Sequence, residues 1–231
     1  MADGSQPISD KPPAKPSPRR ARRKDARPAE VIEAARDLFV SRGYAATKLE
    51  EVARRAGVSV GLPYLYFANK EELFKAVVRA AILPQFRMGE EMLEGYEGSS
   101  ADLLRRLVRK GWELERSPNG GLGKLVIAEA QNFPDIARFY LEEVVLRGRR
   151  FFERVIERGI ARGEFRPVDV PYTARVVAAP LTVLSLWHRS FAAFEPDPAA
   201  TDPDAYLTAY LDLVLAGLRA GPGPSPQDAH R

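Results

Sequence analysis

The sequence predicts an all-α protein of about nine helices, and three observations carry that reading. Apolar residues recur three and four positions apart from residue 28 to residue 220, which gathers them on one face of a 3.6-residue turn. Helix starts are marked by Ser, Thr, Asp, Asn or Pro, and several ends by Gly. No stretch alternates apolar and polar residues as a half-buried strand requires. With 231 residues, 45% of them apolar, the chain has enough material for a sizeable core.

The first helix is expected to open at Pro28, with Glu30 near its positive end and Ile32, Ala35, Leu38 and Phe39 as its stripe; Gly43 stops it. Thr47 and Glu50 are spaced as a capping box for a second helix, whose Leu49, Val52 and Ala53 face inward. Ala56-Gly57-Val58 ends that helix, and Ser59 caps a short third one reaching Tyr66. Asn69 caps a fourth, carrying Leu73, Phe74, Val77 and Val78 inward, and Pro84 kinks or divides it. A fifth runs from Ser99 or Ser100 to about Arg116, and another from Leu122 to Gln131. Pro134 and Asp135 open a long helix to about Arg162, closed by Gly163. Asp169 and Pro171 start the next, to about Phe194, and Asp202-Pro203 starts the last, ending near Ala220.

Both ends read differently. Residues 1–26 are rich in proline, poor in apolar residues and contain Arg19-Arg20-Ala21-Arg22-Arg23-Lys24, the pattern of a disordered basic arm. Residues 221–231 hold three prolines and read as a flexible tail. The positive charge lies at the front. Residues 1–27 carry eight basic residues against three acidic, within a chain of net charge +4. That suits a polyanionic partner, although a solvated tail has the same composition.

Other chemistry is thinly supplied. The chain has no cysteine and two histidines, His188 and His230, which argues against thiol nucleophiles, disulfides, a metal site and a Ser-His-Asp relay. No cofactor is expected. No export leader or membrane span is legible, so a cytoplasmic protein without membrane contact is expected.

Two short helices joined by Ala56-Gly57-Val58 have the form of a helix-turn-helix, and the second is too short to be a core element of its own. It makes sense as a ridge for a major groove, while a plain structural hairpin gives the same spacing. The wider string decides. Residues 29–79 resemble the DNA-binding domain of the TetR (tetracycline-repressor-like) family. The matching features are Ala34-Ala35 with Leu38-Phe39, Gly43-Tyr44, Thr47, Val52-Ala53 through Gly57-Val58, Tyr64 with Tyr66-Phe67, and Asn69-Lys70-Glu71-Glu72-Leu73. Phe133-Pro134-Asp135-Ile136 and the stretch Arg158 to Phe165 look like the regulatory domains of that family.

The resemblance implies a homodimer on a palindromic double-stranded DNA operator, with a helix-turn-helix domain over 27–80 and a ligand-binding and dimerisation domain over 81–220. Carried over by position, Thr47 and Lys48 meet the DNA backbone, Ser59, Val60, Gly61 and Leu62 face the groove, and Tyr64, Tyr66 and Lys70 bind phosphates. Two departures stand out: Pro63 replaces a helix former, and Val60 and Leu62 offer no hydrogen bonds to base edges.

In the last two helices, Leu181 and Leu184 on one and Leu207, Leu211, Val214 and Leu218 on the other form apolar seams, expected at the dimer contact. The same seams would also serve to pack each helix on its own subunit. The aromatics Phe86, Trp112, Phe133, Phe139, Trp187 and Phe191 are candidates to line a ligand pocket, each also readable as core. His188 reads as a polar handle or a surface residue, and the row Arg147, Arg150, Arg154, Arg158 as a salt-bridged face. The expected function is a ligand-responsive regulator, a repressor released by a small apolar or amphipathic effector. The alternatives are a nonspecific nucleic-acid or nucleoid binder using the basic arm and, further behind, an all-α enzyme.

Overall fold

The computed structural model describes residues 18–197 and 202–221. Ten α-helical segments follow one another: α1 (Pro18–Arg42), α2 (Leu49–Arg55), α3 (Leu62–Tyr66), α4 (Lys70–Glu94), α5 (Ser100–Arg116), α6 (Gly121–Glu129), α7 (Pro134–Tyr140), α8 (Leu146–Ala161), α9 (Val170–Ser190) and α10 (Pro203–Leu218). A π-helical turn, Leu141–Val145, joins α7 to α8 in one rod, so nine rods result among the described residues. These residues hold no strand, only an isolated antiparallel bridge between Phe165 and Arg219.

Four helix starts follow from local hydrogen bonds. Asn69 Oδ1 accepts from the Glu72 amide at 2.9 Å and Ser99 Oγ from the Asp102 amide at 3.0 Å. Asp169 accepts from Tyr172 at 2.9 Å and Asp202 from Asp204 at 3.0 Å. Each satisfies an amide that the first helical turn leaves without a partner.

Other expectations are corrected. The first helix starts at Pro18, ten residues before Pro28, which lies inside it. The Arg, Ala and Lys of residues 19–24 favour helix strongly enough for the rod to extend through them. The expected disordered arm therefore gives way to helix from residue 18, and residues 1–17 lie outside the described residues, as do 222–231 of the expected tail. Pro84 does not divide α4, which runs unbroken to Glu94. The expected continuous helix over 134–162 contains the π turn instead.

One buried cluster runs through the molecule from Val31 to Leu218. Its front part is an aromatic knot in which Phe39, Tyr44 and Phe74 pack ring on ring at 5.3–5.6 Å between α1, the α1–α2 loop and α4. Its rear part is α5, α8 and α9, with α10 alongside. Gly163, with φ +69°, turns the chain out of α8 and lays Phe165 over Gly159 so closely that a Cβ there would stand 2.1 Å from the ring. Arg158 is not part of a solvated row. Its guanidinium donates to Ser100 Oγ at 2.9 Å, Gly98 O at 2.8 Å and Tyr96 O at 3.1 Å, fastening the α4–α5 loop to α8.

Candidate nucleic-acid interface and cavity

The α2–α3 turn is built on Gly57, whose φ of +66° lies where a side chain is strained. The Val58 amide then donates to Ala53 O at 3.0 Å. Ser59 does not cap α3. Its carbonyl accepts from Leu62 N at 2.9 Å in a preceding turn, and Gly61 is the residue before the helix. Pro63 therefore falls in the first helical turn, where amides have no intrahelical partner, and its missing N–H costs little.

α3 has two faces. Leu62, only 8% exposed, and Pro63 are buried beneath it, whereas Ser59, Val60, Gly61, Tyr64 and Tyr66 are exposed. Leu62 is thus corrected from a groove-facing to a supporting residue. Leu65, 78% exposed, takes the outward place that sequence reasoning missed. Periodicity gave no signal for it: Leu65 lies three residues from buried Leu62, a spacing that shares one face of a longer helix.

Thr47 is also displaced from its expected roles. It is 1% exposed, its Oγ1 donates to Gly43 O at 2.8 Å, and Lys48, not Thr47, precedes α2, with no side-chain cap. A hydroxyl turned back on its own loop replaces the capping box. Lys48 is exposed at the N-terminal end of α2. The Tyr64 hydroxyl donates to Glu50 Oε1 at 3.0 Å. That bond pushes the phenol up, and the backbone amide of Glu50, followed by the Tyr64 hydroxyl, holds the Glu50 carboxyl below its ordinary value.

Lys70 has its charge engaged inside the fold. Its ammonium donates to Tyr44 O at 2.9 Å and Ala45 O at 3.1 Å and stands 4.6 Å from the Tyr44 ring centre. Burial pulls its pKa down, and Glu129 of α6 opposes that shift. On the other flank, Asp37 of α1 accepts from Arg55 of α2 at 2.7 Å and from Arg36 at 2.9 Å, and these bonds hold its carboxyl below its ordinary value.

Behind this head lies a cavity of about 510 Å³, walled by α4, α5, α6, the end of α7, the π turn, α8 and α9. Its aromatic lining is Phe86, Phe151, Phe152 and Tyr140, so only Phe86 of the six expected aromatics belongs to it. Trp112 is core, edge-on to His188 at 5.8 Å. Phe133 packs on Tyr44 at 4.7 Å, and Phe139 lies beneath Arg79 at 5.0 Å. Trp187 and Phe191 pair at 5.2 Å on the exposed surface. The π turn contributes Leu141, Val144 and Val145 to the wall. Such turns often accompany functional sites, but the stripe Ile136, Tyr140, Val144, Phe151 fits an unbroken α-helix equally well and carried no signal.

The expected dimer seams turn inward. Leu181, Leu184, Leu207, Leu211 and Leu218 are all buried within their own subunit, and Val214 is half-buried. Both helices are apolar around much of their circumference, so periodicity alone did not decide which side meets the core. The opposite sides are exposed. Tyr172, Val176, Ala179, Val183 and Trp187 follow one another at helical spacing along α9, as do Tyr206, Ala209, Leu213 and Ala216 along α10. Leu213 is 77% exposed. No helix among the described residues is long and apolar enough to cross a membrane, and none of their His, Asp and Glu residues cluster in a way that would hold a metal ion.

Comparison with known proteins agrees over both halves. Residues 31–77 match the family model of bacterial regulatory proteins, tetR family, and residues 97–202 match that of the tetracyclin repressor-like C-terminal domain. The HTH-type transcriptional repressor KstR2 of Mycobacterium tuberculosis is 29% identical over 204 residues, covering 84% of this chain and 94% of KstR2. The solved structure of this ketosteroid transcriptional regulator superposes with a TM-score of 0.63 at 26% identity, covering 84% of this chain and 96% of that one. The TetR family transcriptional regulator PfmR of Thermus thermophilus gives 0.63 at 26% identity, covering 82% of this chain and 98% of its own. The members of this family are transcriptional regulators that bind DNA operators as dimers and respond to small molecules. The chain belongs to the tetR family of bacterial regulatory proteins.

Proposed function

We propose that this chain is a dimeric, ligand-responsive repressor without enzymatic activity, working in the cytoplasm on a palindromic operator. The observation that carries this reading is the outward face of α3. Tyr64 and Leu65 project from a helix whose Leu62 and Pro63 are anchored beneath it, and Val60 and Gly61 are exposed in the turn that leads into it. A five-residue helix so placed presents a ridge of the size a major groove accepts. Lys48 is exposed at the start of α2 and, with Tyr66 and with Tyr64 once its hydroxyl leaves Glu50, supplies groups for phosphate. Val60 and Leu65 are apolar, so base reading rests on thymine methyls and DNA shape more than on bidentate hydrogen bonds.

The dimer contact in this reading is formed by the exposed stripes of α9 and α10, two helices per subunit making a four-helix contact. The effector sits in the cavity. It lowers operator affinity to the extent that it binds better to the state with its reading helices wrongly spaced.

Selection of duplexes from a random pool tests the reading. The expected result is a two-fold symmetric motif with half-sites about one helical turn, roughly 10 base pairs, apart. A pool enriched only for length, with affinity set by salt alone, would give the molecule to nonspecific binding through its basic front end.

A further inference from the structure

The cavity wall holds one carboxylate, and no ion pair engages it among the described residues. Glu115, at the end of α5, reaches the cavity, and Ser185 Oγ of α9 donates to its Oε2 at 2.5 Å. Among the described residues no other side chain bonds to its carboxylate and no cation lies within ion-pair distance of it. Arg189 is nearby, but its guanidinium is engaged on the backbone oxygens of Glu115 and, at 3.0 Å, Ser117. The cations that reach the wall are engaged as well. Lys110 pairs with Glu113 at 2.9 Å, Arg149 with Glu153 at 3.2 Å, and Lys124 donates to Arg189 O at 3.0 Å.

A second polar group points into the same space. Tyr140 is surrounded by protein on most sides yet lines the cavity, and its hydroxyl has no hydrogen-bond partner among the described residues. Gly123 leaves room for it, since a Cβ there would stand 3.2 Å from the hydroxyl. Gln85 and Thr182 also reach the wall, and most of the remainder is aliphatic and aromatic, with Phe86, Leu107, Val126, Val144, Phe151 and Leu181. A desolvated carboxylate and an unpaired phenol in an apolar cavity each forgo hydrogen bonds that water would give them, and a ligand supplying donors recovers them.

We infer that the cavity takes an amphiphilic organic cation, an ammonium group on an apolar body, with the ammonium donating to Glu115 Oε1 and the Tyr140 oxygen. This rests on the cavity being the effector site proposed above. Burial pushes the Glu115 carboxyl up, opposed by the Ser185 hydrogen bond and by Arg189. An arriving ammonium favours the ionised form, so any neutral fraction releases its proton to solvent. The groups facing Glu115 are Ser185 and Arg189 from α9 and, across the cavity, Tyr140 at the end of α7. An anionic head placed at the Glu115 end would instead meet the carboxylate as a like charge.

The test uses the full chain and three probes of equal length, n-decylamine, decan-1-ol and decanoate, titrated below their micelle concentrations by calorimetry at about pH 7. The amine is expected to bind at least about tenfold tighter than either of the others. Glu115→Gln is expected to bring amine and alcohol within about threefold of each other, with circular dichroism showing that the variant folds. Tyr140→Phe is expected to weaken the amine about threefold to tenfold. Decanoate binding as tightly as the amine, an amine preference that survives Glu115→Gln, or no binding of any probe would overturn the inference. Operator affinity is measured separately. An amine that binds through Glu115 without changing operator affinity leaves this inference standing and removes the effector role from the proposed function.

Discussion

The reading head and the cavity half are built from the same kind of helices, yet they use their polar groups in opposite ways. In the head, polar side chains close on the protein itself: Lys70 on the carbonyls of Tyr44 and Ala45, Thr47 on Gly43, Arg55 on Asp37 and Tyr64 on Glu50. In the rear half Arg158 also closes on the protein, but Glu115 Oε1 and the Tyr140 hydroxyl remain open, and apolar stripes on α9 and α10 face outward. A head that must hold one geometry gains from bonds that fix loops in place. A half that must recognise a ligand and a partner gains from groups left without partners until these arrive.

The largest expected effect tests where the uncovered apolar surface lies. Val183→Glu with Leu213→Glu should yield folded monomers by sedimentation, and operator affinity should fall by more than about a hundredfold, since each head keeps only one half-site. Leu211→Glu, by contrast, puts a carboxylate at a site 2% exposed within the subunit and should cost more than about 3 kcal/mol of folding stability. If Leu211→Glu gives stable monomers and the double variant remains dimeric, the inward and outward sides of α10 have been assigned in reverse.

A smaller effect tests whether the head is as self-contained as its bonds indicate. Lys70→Ala should cost about 1–2 kcal/mol by releasing the α1–α2 loop, while the salt dependence of operator binding stays unchanged. Tyr64→Phe should leave thermal stability alone and weaken operator binding about threefold to tenfold. A salt slope that drops by about one unit for Lys70→Ala would mean that the ammonium leaves its carbonyls for a phosphate on DNA.

The residues at issue are those where sequence and structure part company. The caps at Asn69, Ser99, Asp169 and Asp202 were legible because a cap is a bond over two or three residues, and little distant structure competes with it. Thr47 has the right type and spacing for a cap, but the chain turning at Gly43 offers its hydroxyl a nearer carbonyl. The order of helices was legible from periodicity. Which side of α9 and α10 meets the core was not, because apolar residues on several sides leave the choice to tertiary packing. The cavity was least legible of all. A cavity is a space where side chains fail to meet, and five of the six candidate aromatics found other neighbours.

The smallest expected effect is on pH. The Asp37 carboxyl is held below its ordinary value of 3.8 by Arg55 and Arg36. Its contribution is therefore present in full above that value and is lost as pH falls through the lower, folded-state value. The groups are only partly buried, so Asp37→Asn should cost only about 0.2–1 kcal/mol at neutral pH, and acid unfolding of the variant should be correspondingly less steep. A loss several times larger, measured by urea unfolding at neutral pH, would make this pair a principal tie between α1 and α2.

Pro63 carries a consequence for the timing of recognition. A helix of five residues does not hold its shape in isolation, because fixing the first turn costs more than its few hydrogen bonds return. In this chain the ring of Pro63 restricts one backbone angle of that turn even in the unfolded chain, and its buried place beneath α3 holds the turn in the folded one. In the proposed function, the ridge is therefore already formed before a duplex arrives. Association need not be delayed by a disorder-to-order step at the contact surface, and less of the binding energy goes into ordering the protein.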